Sequence, residues 1–358
     1  MPHEPSLVLI SSYTNESRIG IRVCSFDPQD GSLAVLREFD TLPQASYLAC
    51  DPGNRRIYAV SETAEGAGGR RTGYVAACEL DPETARLREL NRMATQGAHP
   101  CYVSLDSSRR LLYVANYSGA NAAVFALQAD GSLGQLVQLL EHAGSGPLAA
   151  RQQESHPHAI LTGPGEKHLF VPDLGIDEIV IYGTGQPGGA WERVGTCRKR
   201  PGSGPRHLVF HPQLPVAYVA GELDSTVSTL AYDAEAGALA VVQTVSMLPE
   251  EGAPDNTAAD IHVSRDGRYV YASNRGLDCI AVYRTAPETG TLSFVARVPT
   301  EGRTPRNFAL SPDGGYLLAA NQTTGDIAVF RLDADGVPQF TGNRCAVPES
   351  ACIRFYGA

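Results

Sequence analysis

Tryptophan is almost missing from this 358-residue chain, which has one, Trp191. A chain with a single tryptophan cannot carry the repeated Trp-Asp signature of scaffold repeats. Long apolar runs are also absent: no stretch reaches the roughly 18 residues of a membrane helix. The opening segment MPHEPSLVLISSYTNE lacks a basic region followed by a long apolar core. A soluble, cytoplasmic protein with no membrane partner is therefore expected. Positive charge is in deficit, with 29 Lys and Arg against 39 Asp and Glu, a net charge of −10 and a pI of about 5.4. That balance argues against DNA or RNA as a general partner.

Paired cysteines are lacking too. The eight cysteines (Cys24, Cys50, Cys78, Cys101, Cys197, Cys279, Cys345 and Cys352) are scattered with no CxxC pair. They read as small buried hydrophobes in a reducing compartment, and a cysteine-rich zinc site is not expected. There is no GxSxG elbow, no Walker loop, no GxGxxG between strand and helix, and no HExxH. The Gly-rich stretch EGAGGRRTG at 65–73 resembles a phosphate loop in composition only, because no helix pattern follows it. It reads as a loop over a binding mouth.

What the chain does contain is a two-strand phrase repeated six times, at 47–62, 101–116, 158–173, 206–222, 261–275 and 306–321. Each copy is an apolar run, a turn (DPGNRR, DSSRR, GPGEK, HPQLP, SRDGR, SPDGG) and a second run ending in a polar residue. The polar ends recur every 46 to 57 residues, close to the ~40–50 of a four-stranded propeller blade. β-Branched and aromatic residues between turn signals exclude a solenoid of helix pairs. Segments 121–127, 278–284 and 326–332 read as third strands. The turns DGSL (twice), AGAL and TGTL lead into fourth strands, with Gly taking the positive φ of a tight hairpin.

The ends complete the ring. Segments 7–13, 19–26 and 33–39 look like strands two to four of a unit lacking its first, and 351–355 supplies it. Pairing 7–11 with 351–355 makes a seventh blade from both termini and removes the open sheet edges. The expected fold is all-β: one domain over 1–358, a seven-bladed β-propeller of four-stranded blades.

In that fold the start of each first strand and the end of each second strand lie at one mouth of the channel. First-strand starts supply His99, His156, His158, Arg206, His207, Asp260, His262, Arg306 and Asn307. Second-strand ends supply Glu62, Asn116, Tyr117, Asp173, Glu222, Asn274, Arg275, Asn321 and Gln322. Convergent ionisable groups in a concavity mark a site. In SHPHA, 155–159, two histidines two residues apart share one strand face, either as general acid/base groups or as structural residues. In GPRH, Arg206 lies sixteen residues before Glu222, so the two either pair structurally or act together on a substrate. Arg275 and Arg306 add positive charge suited to a carboxylate or phosphate.

SHPHA, GPRH, GELDSTV, AADIHVSRDGRYVYASNR and PRNF, read in order, resemble the bacterial lactonase family of seven-bladed propellers over essentially the whole chain. That family includes propeller-type 6-phosphogluconolactonases and is similar to the fungal 3-carboxy-cis,cis-muconate cyclases. The resemblance implies hydrolysis of 6-phosphogluconolactone to 6-phosphogluconate, in the oxidative pentose phosphate pathway. It implies a catalytic set of His156 or His158 with Arg206, Glu222 and Arg275. The lactonase branch keeps one histidine in this cluster, best matched to His156, and has Gly where this chain has Asn307.

The expected mechanism has Glu222 or His156 activating water, Arg206 stabilising the oxyanion, and Arg275 with Arg306 holding phosphate. His207, Asn116, Asp173, His262, Asn274 and Asn321 complete the expected substrate contacts. No metal or cofactor is required. The expected partner is a small anionic lactone, and the assembly a monomer or weak homo-oligomer. Rival readings are a muconate-type lactonising isomerase, a calcium lactonase using Glu62, Asn116, Asp173 or Asn274, and a non-catalytic binding propeller, for which no apolar or charged run is visible.

Overall fold

The computed structural model describes residues 5–66, 71–184, 190–253 and 255–357. Its strands form seven four-stranded antiparallel sheets, six of them built from consecutive strands. The seventh joins Ser350–Phe355 to Ser6–Ser12, Ile21–Phe26 and Leu33–Phe39, with Val8 opposite Phe355 and Ser11 opposite Cys352. Closure thus occurs where the apolar patterns of the two termini placed it. We number as one to six the blades that begin at Tyr47, Pro100, Leu161, Pro205, Thr257 and Pro305, and as seven the closing blade.

Burial is greatest in the second strand of a blade and falls toward the fourth. In blade four the second strand, Val216–Gly221, is wholly buried, whereas the fourth, Ala238–Ser246, alternates with solvent. Second strands therefore read as continuous apolar runs, being covered by neighbouring blades on both sides. Blades are also stitched to one another. Second-strand tyrosines reach the hairpin of the following blade, with Tyr58, Tyr218 and Tyr271 hydroxyls donating to the carbonyls of Gly131, Gly290 and Gly336 at 2.8, 2.7 and 2.8 Å. The acceptor Gly131 has φ 79°, the left-handed conformation its turn required.

One expectation is corrected. Blade three has no regular first strand from His158: Pro157 makes an isolated bridge to Asp173, and only Leu161–Thr162 is a strand. Pro157 has no N–H to give a ladder, although His158 N–H still donates to the Pro172 carbonyl at 2.9 Å. Strand Arg56–Glu65 ends at the first residue of the Gly-rich stretch and strand Thr72–Asp81 takes up its last two. Residues 67–70, on which the expected loop falls, lie outside the described residues.

Candidate active site

At the mouth end of each second strand two consecutive residues go to opposite faces, as strand geometry demands. One member of each pair, namely Ser12, Ser61, Asn116, Asp173, Gly221, Asn274 and Asn321, faces the packing between blades. Next to them Tyr13, Glu62, Tyr117, Leu174, Glu222, Arg275 and Gln322 form one ring at the mouth. The backbone N–H groups of Tyr13, Glu62, Tyr117, Glu222 and Gln322 donate to the carbonyls of Glu349, Gln44, His99, Gly204 and Thr304 at 2.8–3.1 Å. All five acceptors have positive φ, between 52° and 60°, so a repeated left-handed residue clamps five of the seven ring positions.

First strands contribute through bulges. The register slips between Pro100 and Tyr102, Pro205 and Leu208, Ala258 and Ile261, and Pro305 and Asn307. A bulge re-aims the side chain it releases. The released residues include Cys101, Arg206 and Arg306.

Glu222 is the centre of the assembly. Its Oε2 lies 2.9 Å from Arg206 Nε, 3.1 Å from Arg275 Nη2 and 3.8 Å from His158 Nε2. Its Oε1 accepts from Arg151 Nη2 at 2.5 Å. The Arg206 contact is one of charge, because its Nε–H is not aligned on the oxygen. Arg206 and Arg275 are anchored separately, donating to the carbonyls of Ala259 and Ala258 at 2.7 and 2.9 Å. Burial opposes ionisation of Glu222, but Arg275, Arg206, His158 and Arg151 outweigh it and hold the carboxyl well below the usual range.

A second cluster faces it. Tyr13 donates to Glu62 Oε2 at 2.8 Å. Arg306 lies 3.8 Å from the same oxygen and over the Tyr13 ring at 5.3 Å. Arg306 acts electrostatically on both Arg275 and His158, so the two clusters are neighbours. Burial pushes the Cys101 thiol between them up, which removes it as a nucleophile.

The two histidines differ. His156 stacks on Tyr117, with centroids 4.3 Å apart, and its Nδ1 is 3.0 Å from the Tyr117 carbonyl. A carbonyl there requires Nδ1–H, so in the neutral ring the lone pair is on Nε2, for which no hydrogen-bond partner stands among the described residues. His158 sits deeper, 3.6 Å from Cys101 Sγ and edge-on to His207. Burial, with Arg206 beside it, holds its ring well below its usual value and therefore neutral.

The mouth therefore brings together His156, His158, Arg206, Glu222, Arg275 and Arg306. Five other expected contacts lie elsewhere, and a sixth, His207, lies beneath this group. Asn116 donates to the Thr95 carbonyl at 3.0 Å and to Asn121 Oδ1 at 2.7 Å, and Asn321 donates to the Thr300 carbonyl at 2.9 Å. Asn274 bonds Ser225 at 3.2 Å. Asp173 accepts from Ser155 and from His156 N–H at 2.5 and 2.7 Å, and its Oδ2 lies 2.7 Å from His142 Nδ1. These four are fully buried locks that tie their blades to the preceding connection or, for Asn274, to a turn of the preceding blade. A Cβ on Gly97 would lie 2.6 Å from that of Asn116, which is why glycine precedes the lock there.

His207 forms the floor, its Nδ1 2.7 Å from Asp260 Oδ1; burial and Arg206 push its pKa down to about 3. His262 lies six residues into a strand that starts at Thr257, roughly 3.3 Å per residue down the channel, and faces the opposite end. Arg151 and Tyr13 complete the site without having been anticipated. Tyr13 occupies in blade seven the position of Glu62 and Glu222. Arg151 comes from the connection 142–160, whose unusual length was its only signal. Among the described residues no group of three or more His, Cys, Asp or Glu is placed to hold a metal ion.

Comparison with known proteins agrees with this architecture. A profile of the family described as "Lactonase, 7-bladed beta-propeller" matches residues 7–355. A 6-phosphogluconolactonase of Bacillus subtilis is 35% identical over 347 residues, covering 97% of each chain. A 6-phosphogluconolactonase of Formosa agariphila is 30% identical, covering 97% of this chain and 96% of the other. The periplasmic gluconolactonase of Pseudomonas aeruginosa superposes with a TM-score of 0.92 at 33% identity, covering 99% of both chains.

Proposed function

The chain belongs to the lactonase family of seven-bladed β-propellers, and from that we propose that it hydrolyses the lactone of a phosphorylated sugar acid, 6-phosphogluconolactone being the substrate. The observation that carries this reading is the charge of the mouth. Arg151, Arg206, Arg275 and Arg306 stand against Glu62 and Glu222, an excess of two positive charges in a protein of net charge −10. That excess complements a phosphate dianion.

In this reading His156 Nε2 takes the proton of a water as its oxygen bonds to C1 of the lactone. The carbonyl oxygen becomes an oxyanion stabilised by Arg206. Collapse breaks the bond from C1 to the ring oxygen, which leaves with the proton held by His156, and the new carboxylic acid ionises. Arg275 and Arg306 hold the phosphate, and Arg151 closes over it. Glu222, held ionised by its arginines, is too weak a base to activate water and serves to space and orient them.

The product would be 6-phosphogluconate, which belongs to the oxidative pentose phosphate pathway. A cytoplasmic location is supported by eight unpaired cysteines. No helix among the described residues is long and apolar enough to cross a membrane. A monomer or weak homo-oligomer is supported by exposed apolar side chains such as Val35, Val137, Val194, Phe294 and Phe340, which fall on separate blades rather than in one patch.

The test is proton release from freshly generated 6-phosphogluconolactone above the spontaneous rate, with and without EDTA, for the wild type and His156→Gln. Fast turnover that survives EDTA and is lost in the variant is expected. No acceleration by the wild type would overturn the reading and turn attention to muconates.

A further inference from the structure

First strands run parallel to one another around the axis, so their far ends gather at the end of the channel opposite Glu222. There, side chains of blades one, two, five, six and seven line a cavity of about 370 Å³. A layer of rings separates it from the mouth: Tyr47 stacks on Tyr102 with centroids 4.3 Å apart, and both meet His207 edge-on at 5.6 and 5.2 Å.

Arg354 stands on the wall of this cavity. Its guanidinium lies over the Tyr47 ring at 4.6 Å, and Nη1 donates to the Ile353 carbonyl at 2.8 Å. Among the described residues no carboxylate lies within ion-pair distance of it, and no Asp or Glu lines the cavity. Asp260, which acts on Arg354 electrostatically, is committed elsewhere. Its Oδ1 accepts from Ile261 N–H at 3.0 Å and meets His207 Nδ1, and its Oδ2 is 2.9 Å from His262 Nε2 and accepts from Asn307.

We propose that this cavity is a second ligand site, for a small organic monocarboxylate whose carboxylate pairs with the Arg354 fork. The apolar body of the ligand lies against Tyr47, Val103, Leu310 and Phe355. A planar fork suits a carboxylate bidentately, and aliphatic and aromatic walls with one free charge are the usual make-up of a small-molecule pocket. A phosphate dianion fits less well, because the other cation in the lining, Arg109, is 3.5 Å from Asp51.

The probe is 4-fluorobenzoate, followed by ¹⁹F line broadening on addition of the full chain. Broadening that unlabelled benzoate reverses is expected with the wild type and with Arg151→Gln, and at least tenfold weaker binding with Arg354→Gln. Ala49→Phe, which fills the cavity but leaves Arg354 in place, is expected to weaken binding equally and guards against a fold defect in the first variant. No broadening with wild type would overturn the proposal. So would binding that persists in Ala49→Phe, or that is lost in Arg151→Gln and kept in Arg354→Gln, which would put the anion in the other mouth. The readout is binding alone, so it stands apart from the lactonase assay.

Discussion

Glu222 Oε2 and Arg206 Nε meet at 2.9 Å with both side chains almost wholly buried. Such a pair is costly to form and more costly to break, because removing one partner strands the other charge out of water. Here the carboxylate also serves Arg275 and Arg151. Glu222→Gln is therefore expected to lower the unfolding free energy by about 3–5 kcal/mol and to reduce turnover. Denaturant unfolding measures the first directly. A loss below about 1 kcal/mol, as for an exposed pair, would show that the arginines are held without it.

Arg206→Lys keeps the charge and loses the fork. If Arg206 stabilises the oxyanion, kcat is expected to fall about 10²–10³-fold while KM moves far less. Steady-state kinetics on the lactone decide this, and unchanged turnover would remove Arg206 from that role.

Arg151 is the most exposed of the guanidiniums on Glu222, 41% against 2% for Arg206, yet its neighbour Gln152 is buried and anchored to Leu174 and Asp177 at 2.8 and 2.9 Å. A fixed backbone carrying a partly exposed arm, which Glu222 holds over the mouth, suits substrate capture. Arg151→Gln is expected to raise KM for the phosphorylated lactone about tenfold, one charge-assisted contact, and to leave unphosphorylated gluconolactone unaffected. Equal effects on both substrates would count against a phosphate contact.

Acid should destabilise the fold from near pH 6.5 downward. His158 and His207 are kept neutral by burial and Arg206, with His207 at about 3, so between that value and the ordinary histidine pKa the unfolded chain binds more protons than the native one. Stability then rises with pH across this window, by up to about 1.4 kcal/mol per pH unit for each histidine. Below about pH 4.3 the depressed carboxyl of Glu222 adds to the loss, since its stabilisation is full only above the unfolded carboxylate pKa. Urea midpoints from pH 7.5 to 4 test the sign; a flat profile would contradict neutral buried histidines.

Asn321→Ala removes an interblade lock, not a substrate contact. It is expected to cost about 1–3 kcal/mol by leaving the Thr300 carbonyl unpaired, with kcat and KM of the folded enzyme unchanged. A raised KM at constant stability would restore Asn321 to the substrate site.

The fold was largely legible because its inner strands are covered on both sides. IYAVSE, LLYVAN and YLLAAN announce themselves as apolar runs, and the turn glycines announce the hairpins. Fourth strands such as Ala238–Ser246, half in water, carry little pattern. His156, His158, Arg206, Glu222, Arg275 and Arg306 were legible as a ring because the repeat put each at one of two places in its phrase, the start of the first run or the end of the second.

The sequence by itself determined the repeat, the closure of the termini and which blades bring charge to the axis, because apolar periodicity is a local property. Only the tertiary structure decided which of two neighbours looks into the channel. Asn274 and Arg275 are consecutive, yet one locks two blades and the other pairs with Glu222, since a one-residue step on a strand reverses the face. The bulges that release Arg206 and Arg306 and the reach of Arg151 across the mouth depend on where other blades lie. No local pattern encodes that.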